Sequence, residues 1–323
     1  MRYRTWAPGK EKVDVVIFDA AGHLIRIVSL GEETGGYFTA IDPDGRAGDR
    51  YQYRFGGNTR PDPASRFNPA GVHGTAQVID PNDFEWRDAE WSTPPVSGWT
   101  IYELHIGTFT PEGTFRAAIG KLDAAHQHGL AVILDVVYNH LGPDGNYLGA
   151  YSRDYFNPEH KTPWGDRLNF ELKRVRDFFA ENTSYWRREF HIDGFRLDAT
   201  HAIVDTSDKH VLAEIAELVH SLGGIVTAED ERNDVHLLLD QKDEGIGLDA
   251  IWADDFHHVV RVMLTGMREG YYCAYEGTVA ELAATLEHGW LFEGSARVRQ
   301  HHGQAAKAGE LPRASFIFCI TNR

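Results

Sequence analysis

Cysteine is nearly absent from this chain of 323 residues. Cys273 and Cys319 are the only two, and their wide separation excludes a disulfide framework and any cysteine-built metal cluster. Both are expected to be packed, unreactive thiols. Positive charge is also short: 32 Lys and Arg against 48 Asp and Glu leave a net charge of −16. Such a surface repels polyphosphate, which argues against nucleic acid or an anionic membrane as partner. A neutral substrate fits better. No apolar run approaches the length of about eighteen residues that a membrane span needs, and the opening stretch Met1 to Gly9 lacks the apolar segment of a signal peptide. A cytoplasmic protein is therefore expected. Internal repeats and low-complexity tracts are absent as well.

What is present is a large apolar fraction, 42%, beside 25% charged residues, enough for one large core and a smaller second one. The first part alternates β-type runs with turn residues: Val13 to Phe18, Leu24 to Leu30, Tyr37 to Ile41 and Arg50 to Phe55, separated by Gly22, Gly35-Gly36 and Pro43-Asp-Gly45. This grammar predicts an all-β sandwich, with a boundary near Pro94-Pro95 and hence domains of 1–95 and 96–323. Beyond it the apolar runs Trp99 to Ile106, Ala131 to Val137, His191 to Leu197, Ile225 to Ala228, Asp249 to Trp252 and Ser315 to Ile320 alternate with helix-like segments. Thr114 to His128, Leu172 to Phe190 and His210 to Leu222 have the apolar spacing of crossover helices. The order is βαβ, which a (β/α) barrel and an open doubly wound sheet both satisfy. No Gly-x-Gly-x-x-Gly follows the first of these runs, which weakens a dinucleotide-binding reading.

In a parallel α/β domain, reactive groups sit where strands end. Asp135 lies within Val132 to His140, with Asn139-His140 just beyond the run. Arg196 and Asp198 are two apart and so share a strand face, and Glu229 ends the next run. Arg196 would hold Asp198 ionised, as a nucleophile requires, while a drier Glu229 would keep a proton. Adjacent strands are about 4.8 Å apart, close to the roughly 5–5.5 Å between the carboxyls of a retaining glycosidase. Against this, a single strand-end acid is commonly a helix cap, and Arg196 with Asp198 alone would serve equally as a structural ion pair. Asp135 either orients loops or binds sugar. His257-His258 lacks the helical partner of a metal site, and Tyr138, Trp164 and Trp252 are core residues or sugar platforms.

Asp135-Val-Val-Tyr-Asn-His140, Gly194-Phe-Arg-Leu-Asp-Ala199 and Ala228-Glu229 together resemble, in order, three of the four sequence regions of the α-amylase superfamily of glycoside hydrolases. Further stretches narrow this: Arg60 to Arg66, Tyr102 to Gly113, His160 to Gly165 and Ile251 to His258 look like those of maltooligosyltrehalose trehalohydrolases. The resemblance covers nearly the whole chain. It implies a (β/α)8 TIM-type barrel preceded by an immunoglobulin-like, carbohydrate-binding-like sandwich. It further implies that Asp198 attacks the anomeric carbon, that Glu229 is acid/base, and that Asp135, His140 and Arg196 hold the sugar. Arg196 to His201 (with Leu197, Ala199 and Thr200) and Asp254 to His258 (with Asp255, Phe256 and His257) would line the cleft. The implied reaction cuts the α-1,4 bond beside the terminal trehalose of a maltooligosyl trehalose and releases trehalose. No metal or organic cofactor is implied; some relatives hold calcium near the position of Asn139, but no ligand cluster stands out here.

The sequence departs from that pattern twice. The fourth region, an Asn-His-Asp, should follow Phe316 to Ile320, where Thr321-Asn322-Arg323 stands instead, and one strand-helix unit is missing near Leu122-Asp123. Six candidate barrel strands remain. A barrel short of strands exposes edges and half a core, so the expectation is either that residues belonging here are absent or that catalysis is weak or lost. Rival readings are an isoamylase-type debranching or a branching enzyme, and a non-catalytic α-glucan-binding protein.

Overall fold

The computed structural model describes residues 1–162, 165–292 and 311–320, with the side chains of 122–127 and 160 excepted. Trp164 and the terminal 321–323 thus lie outside the described residues. The chain divides into two compact units, one comprising Met1–Ala89 with His140–Val175 and the other Glu90–Asn139 with Arg176–Arg323.

The first unit is built on an antiparallel sheet in the order β1-β4-β3-β2-β5-β6, with β7 on β5. Its strands are β1 (Arg2–Trp6), β2 (Val13–Phe18), β3 (Leu24–Glu33), β4 (Tyr37–Ile41), β5 (Arg50–Phe55), β6 (Asn58–Arg60) and β7 (Ala76–Gln77). Strand β3 makes it a sandwich or half-barrel rather than a flat sheet, because Leu24–Leu30 pairs with β2 and Gly31–Glu33 pairs with β4. Central β2 is buried on both faces, whereas β5 alternates, burying Tyr51, Tyr53 and Phe55. Each large side chain so buried contributes about 1.5–3 kcal/mol. The β3–β4 turn needs glycine: Gly36 has φ +82°, and a Cβ there would stand 2.7 Å from Pro8 Cβ. A two-stranded hairpin, β9 (Phe156–Thr162) with β10 (Gly165–Leu168), belongs to the same unit and had no clear alternation in sequence.

The second unit carries a parallel sheet in the order β14-β13-β12-β11-β8. Its strands are β8 (Ile133–Val136), β11 (Gly194–Leu197), β12 (Ile225–Glu229), β13 (Ala250–Trp252) and β14 (Phe316–Ile317). Neighbours in space are neighbours in sequence, as in the wall of a (β/α) barrel. Phe195, Leu197, Val226, Ala228 and Ile251 are fully buried, the two-sided burial that the continuous apolar runs predict. The α-helices described in the chain are α1 (Ile106–Phe109), α2 (Phe115–Gln127), α3 (Leu148–Tyr151), α4 (Lys173–Glu189), α5 (Val211–Ser221), α6 (Asp254–Thr265) and α7 (Val279–His288), of which α3 lies in the first unit. The expected crossovers are α2, α4 and α5; α5 buries Val211, Leu212, Ile215, Ala216 and Val219, one helical stripe. A capping box, Thr278 with Glu281, starts α7.

One expected strand is absent. Residues 99–105 form no strand, Tyr102 is 78% exposed, and Ile106 opens the helical turn α1. Five parallel strands are therefore described, not six. Propensity supplied the β-type pattern, but a strand also needs a partner's backbone, and none is offered. One thiol differs from expectation, because Cys273 is exposed; half-buried Cys319 has its pKa pushed up to about 11 by burial, as a packed thiol should.

At the N-terminal end of the sheet, buried Asp193 ties three segments together. Its carboxylate accepts from Trp91 Nε1 (2.7 Å), Thr93 Oγ1 (2.9 Å) and the Val132 amide (2.8 Å). Removing it leaves three donors without their charged acceptor. Asp193→Ala is expected to destabilise the protein by about 3 kcal/mol, read as a lower urea midpoint at unchanged slope.

Candidate active site

The parallel register assembles the site. Arg196 on β11 lies opposite Asp135 on β8 and Thr227 on β12, while Glu229 lies opposite Trp252 on β13. Side chains in register share a face, so these point to the same side of the sheet at its C-terminal end. Asp198 follows β11 directly.

Arg196 is the hub. Its Nη1 donates to Asp135 Oδ1 at 2.9 Å and to Asp198 Oδ1 at 2.9 Å, and its Nη2 lies 3.0 Å from Glu229 Oε2. The guanidinium carbon also stands 5.5 Å from the centre of the Trp252 ring. Burial opposes the Arg196 charge, but Glu229, Asp135 and Asp198 outweigh it and raise its pKa further. Side-chain exposure is graded: 54% for Asp135, 27% for Asp198, 16% for Glu229 and 12% for Arg196. Asp135 thus meets solvent, while Glu229 is the driest carboxyl of the three.

That gradient separates the acids. Burial raises the Glu229 pKa; Arg196 and the Ala199 amide pull it back, and the nearby Asp198 carboxyl raises it again. Asp135 is likewise raised by partial burial against the pull of Arg196. Asp198 is fixed from the other side by Asn139, whose Nδ2 donates to Asp198 Oδ2 at 2.8 Å and to the Asp198 carbonyl at 2.9 Å. Asn139 was not singled out in sequence as a site residue, although its place four residues after Asp135 was a usable signal. Two carboxyls of unequal environment on one guanidinium can supply a nucleophile and a proton donor.

The remaining expected residues divide. Ala199, half-buried, gives its N–H to Glu229 Oε2 at 3.2 Å. His201 is half-buried with Nδ1 enclosed. Leu197, Thr200 and Asp255 have no exposed surface and cannot touch a sugar in this geometry. Asp255 instead accepts from Asn233, Tyr275 and the amides of Leu291 and Phe292, fixing the start of α6. Asp254, His257 and His258 are also largely buried, with Phe256 half-buried against Phe318. Burial pushes His257 down to about 4, and His258 Nδ1 contacts the Tyr275 hydroxyl at 2.9 Å. His140 is half-buried and opens the segment that belongs to the first unit. Of the candidate platforms, Trp252 and Tyr138 are buried, which favours their core reading. Among the described residues no His, Cys, Asp and Glu grouping could hold a metal ion, and no helix is long and apolar enough to cross a membrane.

No family model matches the chain. Individual proteins do. A malto-oligosyltrehalose trehalohydrolase of Saccharolobus solfataricus is 38% identical over 99% of this chain, and one of Deinococcus radiodurans is 37% identical over 99%. A solved Salmonella typhimurium structure, named as an alpha amylase, superposes over 99% of the chain with a TM-score of 0.90 and 32% identity. The chain belongs to the α-amylase family of glycoside hydrolases. It spans 65%, 60% and 64% of the lengths of those three proteins. The alignment with the Saccharolobus relative runs over 375 residues, more than the 323 present here, so that relative carries stretches with no counterpart in this family member.

A carboxyl whose pKa is raised on folding binds its proton more tightly folded than unfolded, so stability falls as pH rises from 4.5, the ordinary glutamate value, through the folded pKa. Glu229→Gln removes this penalty, while Asp135 keeps its own. The variant is expected to be more stable than wild type above that window, with the gap closing as pH falls toward 4.5. Urea midpoints across a pH series check this, and a gap that widens in acid would refute it.

Proposed function

We propose that this site belongs to a retaining glycoside hydrolase that cuts the α-1,4-glucosidic bond next to the terminal trehalose of a maltooligosyl trehalose, releasing trehalose. The observation that carries the reading is the set of unequal carboxyls gathered on Arg196 at the ends of consecutive parallel strands. The substrate class rests on the similarity to the two trehalohydrolases.

In this reading Asp198, held in place by Arg196 and Asn139, attacks the anomeric carbon. Glu229 passes its proton to the leaving glycosidic oxygen, and the trehalose side departs. Glu229, now a carboxylate, takes a proton from water, whose oxygen displaces Asp198 and restores the original anomeric configuration. Carboxyls that share one guanidinium suit the short spacing of a retaining enzyme better than the roughly 6.5–9.5 Å of an inverting one. Asp135 and Arg196 hold the sugar at the cleavage point, and Ala199, His201, Asp254, Phe256, His257 and His258 border the cleft. The sandwich, residues 1–95, is proposed as carbohydrate-binding-like beside a catalytic region of 96–323.

Incubation of the purified protein with maltotriosyl trehalose, its products resolved by chromatography, tests the reading. Free trehalose is expected, with Asp198→Asn or Glu229→Gln lowering the rate on the order of a thousandfold or more. Linearised or newly formed α-1,6 branches would shift the assignment to a debranching or branching enzyme. Retained glucan binding without any cleavage would make the protein a glucan-binding one and end the hydrolase reading.

A further inference from the structure

Thr200 is fully buried, yet it is a polar link between the segments that carry Asp198 and Glu229. Its hydroxyl lies 2.7 Å from Asp230 Oδ2 and 3.0 Å from the Glu229 carbonyl oxygen, so one proton faces two acceptors. Asp230 is itself immobilised: its side chain has no exposed surface, and Arg232 grips it through Nε at 2.9 Å, Nη2 at 2.5 Å and its own amide at 2.9 Å. Between Asp198 and Thr200 stands Ala199, in the left-handed conformation with φ 43° and ψ 54°. A residue with a Cβ avoids that region unless its surroundings hold it there. In this turn its N–H points at Glu229 Oε2, 3.2 Å away.

We propose that Thr200 is a positioning residue for Glu229: anchored on Asp230, its hydroxyl holds Ala199 in the left-handed turn that aims an N–H at the Glu229 carboxyl. The inference rests on the reading of Glu229 as acid/base but not on the identity of the substrate. It also gives a task to a buried residue that cannot reach a sugar. Among the groups facing Glu229 are Arg196 and Asp198 from β11 and its end, the Ala199 amide from the following turn, Trp252 from β13 and the Cys319 thiol just past β14. Of these, the amide is the one that Thr200 controls. A bond from an N–H stabilises only the ionised carboxyl, so its loss favours the protonated form.

The test is a carboxyl titration by NMR on protein labelled at the glutamate side-chain carboxyl, with Glu229 assigned through Glu229→Gln. In Thr200→Val, which keeps the shape and removes the hydroxyl, the Glu229 pKa is expected to rise; Thr200→Ser is expected to titrate as wild type. An unchanged Glu229 titration in folded Thr200→Val overturns the proposal. If Thr200→Val does not fold, Asp230→Asn serves. Removing that negative charge would by itself lower the Glu229 pKa, so a rise reports lost positioning and a fall overturns it. Where wild type cleaves maltotriosyl trehalose, kcat in Thr200→Val falls on the order of tenfold to a hundredfold with KM unchanged. The two readings separate cleanly: a shifted Glu229 in a protein that cleaves nothing sinks the hydrolase reading alone, and an unshifted one in an active enzyme sinks the positioning role alone.

Discussion

One guanidinium organises the second unit. Arg196 stands among Asp135, Asp198 and Glu229, and without its charge three carboxylates would face one another at the mouth of the parallel sheet. Like charges at such distances cannot all remain ionised. The arginine therefore sets the geometry of the three. It touches all three carboxyls and pulls Glu229 and Asp135 down against the burial that raises both. Everything else in the site fixes these four side chains against each other: Asn139 on Asp198, the Ala199 amide on Glu229, and the Trp252 ring beside Arg196.

The sheet makes this possible because parallel pairing in register converts sequence spacing into lateral proximity. Arg196 meets Asp135 across 61 residues of chain because β11 pairs with β8 residue for residue. Gly194 permits the approach of the next strand, since a Cβ there would stand 2.6 Å from the Ile225 carbonyl oxygen. At the opposite end Asp193 draws the segment of Trp91 and Thr93 and the start of β8 onto β11. Two carboxylates five residues apart, Asp193 and Asp198, thus do unlike work. One is buried under neutral donors; the other faces a charged partner and solvent.

The regular elements were readable wherever one residue type repeats with a period. The alternation in Arg50 to Phe55 and the stripe of α5 translate directly into burial. Legibility failed where pairing, not pattern, decides. Residues 99–105 have strand-like composition and no described partner, whereas β1, β6 and β7 are strands with little pattern that exist because neighbours supply hydrogen bonds. The site followed the same division. Asp135, Arg196, Asp198 and Glu229 could be picked out because charged residues ending apolar runs are conspicuous. Asp230 and the buried state of Thr200 and Asp255 could not, because a polar side chain reads alike whether it faces a ligand or a neighbouring backbone.

By itself, then, the sequence determined most of the order of elements, the apolar faces and the four charged residues that end the apolar runs, since each follows from local periodicity and residue type. Tertiary structure decided which oxygen meets which donor, how dry each carboxyl is, and which cleft-lining candidates are sealed inside. Those properties depend on distances between residues remote in the chain and on exclusion of water. Neither quantity exists until the strands have paired.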